Sequence, residues 1–270
     1  MIIDFHTHIF PDAMAEKTIG EMAKKADCKA YVNGTADALL NSMEESGVEY
    51  SVILPVATKP TQFKTINTYA VALNESFQNK KGPKLISFGG IHPEARNYKE
   101  ELREIVALGL AGIKLHPDYQ GMMIDDIKYM RLIDYASSLG LIISVHAGMD
   151  FGSPKIVHCT VRGARRVIDE VKPEHLILAH YGGIGFWEEV EETLIGQNVY
   201  LDTAFIFSKI KQEQFLRILR NHGSEKILFG TDSPWYGQRE SLEVLENWGL
   251  SEEEKNNILY KNASKLLRLK

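Results

Sequence analysis

The sequence has few cysteines and no long apolar run, the features that would indicate a disulfide-rich or a membrane protein. Its 270 residues include only two cysteines, Cys28 and Cys159, whose spacing fits neither a metal-binding motif nor a disulfide framework. We therefore expect two free thiols in a reducing, cytoplasmic compartment. No window of about 20 apolar residues occurs, so we expect no membrane span. The first residues, MIIDFHTH, already have the pattern of a strand rather than of a secretory signal.

Charge of one sign is also scarce. The formal net charge is −5, and it is spread along the chain, which gives no electrostatic reason to expect nucleic acid or an anionic membrane as a partner. Hydrophobic residues make up 44% and charged residues 25%, as in ordinary globular proteins, so a sizeable core can form. No low-complexity tract or linker divides the chain, and we predict a single domain over residues 1–270.

The main pattern in the sequence is an alternation of short apolar runs with longer amphipathic stretches. Each run is rich in Ile, Leu and Val and ends in Gly, Pro or polar residues, which is typical of a buried parallel strand. The eight runs cover residues 1–10, 50–57, 85–93, 111–119, 141–148, 175–183, 199–205 and 227–235. Helical patterns lie between them, for example over residues 35–47, 66–78, 97–109, 124–140 and 208–223, with Asp37, Ser208 and Ser251 as residues near helix starts.

Eight such units in series predict an α/β protein with a (β/α)8 TIM-barrel fold. The structural alternative is a doubly wound open sheet. We favour the barrel because polar residues follow so many of the predicted strands, at the end where barrel enzymes carry their active sites.

Four histidines and one aspartate occupy equivalent positions near the ends of predicted strands. His6 and His8 share one face of the first strand with Asp4, because strand side chains alternate with a period of two. His146 and His180 end the fifth and sixth strands, and Asp232 ends the eighth, which barrel closure brings beside the first. Burying such polar groups together is costly unless they are paired or bound to a metal. The pattern therefore predicts a metal site.

The segments around these residues resemble the amidohydrolase superfamily. The resemblance rests on DFHTHIFPD, GIKLHPDYQG, VHAGMDFGSP followed by HCT, LAHYGG, ILFGTDSPW and, near the end, NASKLL. Their order and placement are similar to the amidohydrolase-related group (amidohydrolase 2) that includes aminocarboxymuconate-semialdehyde decarboxylase and related carboxy-lyases. The resemblance covers essentially the whole chain.

This resemblance implies roles for individual residues. It implies His6, His8, His146 and Asp232 as metal ligands, with Asp232 also acting as a base and His180 as a base or electrostatic helper. One Zn²⁺ per chain suits three imidazoles and a carboxylate, although another divalent metal is an alternative. Zinc lowers the pKa of a bound water to about 7. A homodimer would also be consistent with the resemblance.

Five further residues have more than one interpretation. In some members of the superfamily a lysine at the place of Lys114 is carboxylated and bridges two metals, whereas a charged lysine would line the pocket or pair inside the barrel. His116 fits a loop or packing role better than a ligand role. His158 and Trp235 could contact a substrate. Asp4 either orients a ligand or is a buried acid bonded to backbone amides.

Two enzymatic functions fit this residue pattern. The leading one is a hydrolase that uses a metal-activated water on an amide, lactone or related C–N or C–O bond of a small molecule. The alternative is a non-oxidative, metal-dependent decarboxylase (carboxy-lyase) of an aromatic or muconate-type acid. A decarboxylase should offer a cation to the substrate carboxylate, and the loop candidates for it are Arg162, Lys155, Lys59 and Lys64. A binding module without activity is a third hypothesis, and the intact ligand set argues against it.

Overall fold

Parallel pairing runs through all strands of the computed structural model, which describes residues 1–269. The strands are β1 (Ile3–Thr7), β2 (Tyr50–Ile53), β3 (Lys84–Ser87), β4 (Gly89–Gly90), β5 (Gly112–Leu115), β6 (Ile142–Val145), β7 (Leu176–Leu178), β8 (Tyr200–Asp202) and β9 (Ile227–Leu228). Only Phe88 separates β3 from β4, so the two segments together form the third strand of the predicted series. The eight predicted strands therefore correspond to nine segments.

Two sheets, β1-β2-β3 and β4-β5-β6-β7-β8-β9, join into one closed ring. At one junction the amide of Phe88 donates to the carbonyl of Ile53 over 2.9 Å. At the other, the amide of Phe5 donates to Phe229 O over 2.7 Å and the amide of Asp232 donates to His6 O over 2.8 Å. The last segment of the sheet is thereby held against β1, which confirms the predicted barrel.

Helices follow the strands around the outside of the ring. They are α1 (Asp12–Ala26), α2 (Ala36–Ser46), α3 (Phe63–Phe77), α4 (Tyr98–Ala107), α5 (Pro117–Gln120), α6 (Ile127–Ser138), α7 (Val161–Val171), α8 (Trp187–Thr193), α9 (Gln212–His222), α10 (Gln238–Asn247), α11 (Glu252–Asn256) and α12 (Asn262–Leu267). Of the predicted start residues, Ser251 caps α11 in a reciprocal capping box with Glu254. Thr35, rather than Asp37, caps α2. The helix predicted to start near Ser208 begins only at Gln212.

The interior of the ring is filled by large apolar side chains from nearly every strand. Phe5, Val52, Phe88, Ile142 and Leu228 belong to this buried cluster, together with others from β7 and β8. Side chains of α12 pack against the same cluster. Burying each such side chain stabilises the fold by about 1.5–3 kcal/mol. This packed interior supports the carboxyl ends of the strands, where the polar side chains lie.

Two smaller predictions concern membrane-spanning helices and the two cysteines. None of the helices within residues 1–269 combines the length and the apolar character needed to cross a bilayer. Cys28 and Cys159 are both free thiols, as expected from their spacing. Cys159 is buried, and this burial raises the pKa of its thiol.

Candidate active site

A cavity of about 610 Å³ opens at the carboxyl ends of the barrel strands. It is lined by all five side chains that the strand-end pattern singles out, namely His6, His8, His146, His180 and Asp232. The remaining wall is largely apolar and includes aromatic rings from three loops, those of Phe151, Phe205 and Trp235. A concave, mostly apolar site with a few convergent polar groups is the usual form of a small-molecule site.

Three of these side chains converge on one point. His6 Nε2 lies 3.2 Å from His8 Nε2 and 3.3 Å from Asp232 Oδ1, and His8 Nε2 lies 3.1 Å from the same Asp232 oxygen. We call His6, His8 and Asp232 the first group. Its three atoms come from β1 and from the segment after β9, which the closure of the barrel brings side by side.

In each imidazole of the first group, the nitrogen that points away from the other two side chains carries the ring hydrogen. His6 Nδ1 donates to Asp202 Oδ2 over 2.8 Å, and His8 Nδ1 donates to the carbonyl of Leu54 over 2.9 Å. A neutral imidazole carries one hydrogen, so each ring presents a lone pair on Nε2. Two lone pairs and a carboxylate oxygen thus face one another, which is an arrangement that could hold a cation.

The electrostatics and the spacing of the first group fit a divalent metal ion. Burial and the nearby Lys114 together lower the pKa of His6 to about 4, against the opposing charges of Asp202 and Asp232, so its ring is neutral at neutral pH. Burial alone would raise the pKa of Asp232, but the neighbouring histidines hold it well below its ordinary value. Ligands with bonds of about 2.1 Å to one ion lie about 3 to 3.4 Å apart. The observed distances of 3.1 to 3.3 Å fall in this range.

Local irregularities of the backbone orient these side chains toward the cavity. The pairing of β1 with β2 shifts register between Asp4 and Thr7, so strict alternation does not carry through to His6. Asp232 and His180 have left-handed φ values of 65° and 57°. Such strain in non-glycine residues costs of order 1–3 kcal/mol each and is concentrated at functional sites. Gly230 lets the strand pass close to His6, since a Cβ there would lie 2.9 Å from His6 Cβ.

His146 is not part of the first group in this structure. Its Nδ1 lies 2.9 Å from His180 Nε2, while His180 Nδ1 donates to the carbonyl of Ala204 over 2.9 Å. Because that bond places the hydrogen of a neutral His180 on Nδ1, His146 must donate from its own Nδ1. The lone pair of His146 therefore sits on Nε2, which has no hydrogen-bond partner within residues 1–269.

A second group lies around this unpartnered nitrogen. The possible ligand atoms of His116, His146 and Asp150 are within 4.8 Å of one another. His146 Nε2 also lies 3.9 Å from Asp118 Oδ2. The rings of His116 and His146 stack at 4.1 Å between centroids. We call His116, His146, Asp150 and Asp118 the second group.

Lys114 lies at the bottom of the cavity beside the first group. It is only 1% exposed, and its Nζ is 3.2 Å from His6 Nε2 and 3.5 Å from Ser144 Oγ. Burial lowers the pKa of this amine to about 8, although the charges of Asp202 and Asp232 oppose the shift. The amine therefore competes with a metal for the same lone pair of His6.

The remaining predicted side chains are divided between the cavity and its surroundings. Trp235 lines the cavity. His158 does not line it, and its Nδ1 is 3.0 Å from Asp118 Oδ1. Asp4 lies outside as well, because the register shift after it turns it away from the site. Its carboxylate accepts from the backbone amides of His6 and Thr231 and from the side chains of Thr231 and Gln238, as in the second interpretation given above.

Asp202 is a functional residue that the strand-end pattern missed. One of its oxygens accepts from His6 Nδ1, and the other accepts from the amides of His180 over 2.9 Å and Ala204 over 3.1 Å. It thus orients a ring of the first group and the backbone of His180 at the same time. A signal was present, because Asp202 lies in the seventh apolar run, and it is the last residue of strand β8. Asp118 lies in α5 and Asp150 in a loop, and neither had a comparable signal.

Comparison with known proteins relates this chain to a family. The sequence profile of the amidohydrolase family matches residues 3–269. No curated protein sequence matches the chain.

Solved structures share the fold at low sequence identity. An uncharacterised TIM-barrel protein from Bordetella bronchiseptica is 17% identical with a TM-score of 0.76, over 99% of this chain and 98% of that one. A dihydroxybenzoic acid decarboxylase from Polaromonas, solved with manganese and 2-nitroresorcinol, is 16% identical with a TM-score of 0.74, over 99% and 97%. A proposed 2-pyrone-4,6-dicarboxylic acid hydrolase from Pseudomonas putida is 16% identical with a TM-score of 0.69, over 99% and 97%. At such identities the likeness shows the fold alone.

Proposed function

The chain belongs to the amidohydrolase family, and from this premise we propose that it is a metal-dependent hydrolase of an amide, lactone or related C–N or C–O bond in a small molecule. The observation that carries the proposal is the convergence of two imidazole lone pairs and a carboxylate oxygen within 3.1 to 3.3 Å. This set faces a largely apolar cavity large enough for a small molecule.

His6, His8 and Asp232 would hold one divalent ion, and we propose zinc because it suits imidazole with one carboxylate and keeps an open position. His146 stays a proposed fourth ligand, as the resemblance implies. When bound, the ion supplies a Lewis acid for a substrate carbonyl and lowers the pKa of a coordinated water to about 7. Asp202 and the Leu54 carbonyl keep the two β1 rings oriented toward the ion, which is the usual work of such supporting contacts.

The proton transfers would be carried by Asp232 and His180. The depressed pKa of Asp232 keeps its carboxylate ionised at neutral pH, so its oxygen can accept a proton. The hydrogen bond from Nδ1 to the Ala204 carbonyl fixes the His180 ring. The lone pair on its Nε2 faces Nδ1 of His146. In this structure that nitrogen accepts a hydrogen bond from His146 Nδ1, so it would have to exchange this partner for the substrate before it takes up a proton and returns it to a leaving group. The apolar walls limit access of bulk water to this exchange.

The decarboxylase alternative receives less support from the cavity. A substrate carboxylate would need a cation beside it, and none of Arg162, Lys155, Lys59 and Lys64 lines the cavity. The Arg162 side chain is 88% exposed and pairs with Glu189. Within residues 1–269 the lining lysines are Lys114, beside the first group, and Lys209.

The test is a substrate screen on protein loaded with zinc or manganese. Amides, lactones and aromatic acids are incubated with the enzyme, and both the hydrolysis product and carbon dioxide are measured. We expect hydrolysis that a chelator abolishes and added metal restores. His180→Ala serves as the inactive control with metal still bound. Metal-dependent release of carbon dioxide without any hydrolysis would overturn the proposal in favour of a decarboxylase.

A further inference from the structure

Lys209 brings a positive charge to the rim of the cavity. The residue is exposed, and it lines both the cavity and a groove on the outer surface of the barrel, which places it where the two meet. Lys114, the other lysine that lines the cavity within residues 1–269, is buried beside the first group. The two lysines therefore serve different parts of the cavity, and Lys209 is available to a part of the substrate that lies nearer to solvent.

Two aromatic rings hold the Lys209 ammonium at this rim. Its Nζ lies 4.4 Å from the ring centroid of Phe151 and 5.2 Å from that of Phe205. Both rings line the cavity, and they meet edge to face at 6.1 Å between centroids. A cation near an aromatic face is attracted by the ring quadrupole. This attraction favours a lysine position at the cavity over one that extends into solvent.

The position of the Phe205 ring depends on an unusual backbone conformation. Phe205 has a φ of 56°, in the left-handed region that bulky residues rarely adopt. Such strain costs of order 1–3 kcal/mol and is concentrated at functional sites. The amide of Phe205 donates to the carbonyl of Thr231 over 3.3 Å, directly before Asp232. The fold thus maintains a strained residue that keeps this ring in the cavity wall under Lys209.

The protein supplies no partner charge for Lys209 within residues 1–269. The lysines that form ion pairs in this part of the chain are Lys17, Lys128 and Lys255. Three acids line the cavity together with Lys209, and two of them, Asp150 and Asp232, approach imidazoles instead. The third, Asp27, follows the end of α1 and forms no ion pair with Lys209. The three N–H donors of the ammonium are therefore left for an anion that enters the cavity.

The surroundings of Lys209 favour a carboxylate over a phosphate. A phosphate group carries up to two charges and three strong acceptor oxygens, and proteins hold it with several cations or backbone amides. Here a single ammonium is flanked by apolar rings, and no arginine lines the cavity within residues 1–269. One ammonium on an apolar wall matches one negative charge attached to an apolar body.

We propose that Lys209 binds a carboxylate of the substrate at the exposed end of the cavity, so that the substrate is an anionic amide or lactone with an apolar part. This inference rests on the proposed function for the bond that is cleaved. Because Lys209 is exposed and the first group is buried or half-buried, this carboxylate serves recognition and is not the reacting group. The largely apolar wall between them accommodates the rest of the molecule.

The test measures binding of hippurate to the zinc-loaded protein by calorimetry, with hippuramide as its uncharged isostere. Both compounds contain a phenyl ring and an amide bond, and only hippurate carries a carboxylate. Lys209→Met should lower the ratio of hippurate to hippuramide affinity by about three- to fivefold, the effect of a favourable exposed ion pair. Lys209→Arg should keep most of the ratio. Lys211→Met, an exposed lysine that lines only the outer groove, is the matched control and should keep all of it.

A carboxylate also coordinates zinc, but that contribution to hippurate binding does not depend on Lys209 and stays in the Lys209→Met variant. An unchanged affinity ratio in Lys209→Met, or an equal fall in Lys211→Met, would overturn the carboxylate site. Zinc content and thermal unfolding are recorded for each variant to show that site and fold are intact. If the ratio falls as expected but the substrate screen finds no metal-dependent hydrolysis, the proposed function fails and the carboxylate site stands.

Discussion

The two polar groups at the cavity are built from the same residue types and yet differ in the spacing and the hydrogen bonding of their atoms. In the first group, the Nδ1–H groups of His6 and His8 donate to Asp202 and to the Leu54 carbonyl. The two Nε2 atoms and the Asp232 oxygen lie 3.1 to 3.3 Å from one another. In the second group His116 Nε2 lies 3.6 Å from Asp150 Oδ2 and His146 Nε2 lies 3.9 Å from Asp118 Oδ2, and three of its atoms have no hydrogen-bond partner within residues 1–269. Histidine and aspartate in a cavity thus do not define a metal site by themselves. The spacing of the atoms and the placement of each imidazole hydrogen decide which ligand fits.

The largest expected effect comes from removing a ring of the first group. His6→Ala should abolish turnover and weaken zinc binding by more than about 100-fold, beyond the usual cost of losing a supporting contact. His116→Ala, which removes a ring from the second group, is the matched control and should leave zinc affinity nearly unchanged. Competition with a chromophoric chelator measures both. The fold should persist, because barrel stability resides in the packed interior.

Equal zinc loss in His6→Ala and His116→Ala would break the distinction between the two groups. The same assay on His146→Ala shows whether this ring serves the metal, as the resemblance implies, or only the second group.

A large effect on turnover alone is expected at His180. His180→Ala should keep its zinc and lose about 10²–10⁴ in kcat, the usual contribution of a positioned acid–base group. Asp232→Asn should abolish turnover while zinc occupancy falls only partly, because one coordinating oxygen remains. Metal content and steady-state kinetics on both variants provide the comparison. If His180→Ala strips zinc as completely as His6→Ala does, His180 belongs among the ligands.

An intermediate effect is expected from the carboxylate behind the first group. Asp202→Asn should weaken zinc binding by about 10- to 100-fold, because it loses the charged acceptor that orients His6. Asp4→Asn is a suitable control, since Asp4 is equally buried but bonds to Thr231 and Gln238 outside the cavity. Burial raises the pKa of Asp4 to about 7, so a neutral amide should be tolerated there. Equal zinc affinity in the two variants would remove the orienting role from Asp202.

The smallest effect is expected at Lys114. Its amine competes for the lone pair of His6 and repels a cation, so Lys114→Met should tighten zinc binding severalfold. Metal titration with elemental analysis measures both affinity and stoichiometry. A fall from two ions per chain to one would instead support the carboxylated, bridging lysine.

The sequence was sufficient to predict the barrel and the strand ends that carry the cavity. Buried apolar runs with polar residues after them are local signals, and His6, His180 and Asp232 follow from them. The register shift in β1 is not visible in the pattern, so Asp4 was expected on the same face as His6. The hydrogen-bond partner of His146 depends on the rotation of one ring and on Ala204, which is distant in sequence. The two aspartates of the second group, Asp118 in α5 and Asp150 in a loop, likewise require the tertiary structure.

Barrel closure has a consequence for the order in which the first group is assembled. His8 N donates to Ser233 O and Asp232 N donates to His6 O, so the group straddles the seam between β1 and the segment after β9. During translation His6 and His8 are synthesised early, and Asp232 is added much later. The nascent chain therefore lacks the complete cation-binding set until its last barrel unit has emerged and docked. Premature capture of the wrong ion is limited to what two flexible histidines can hold.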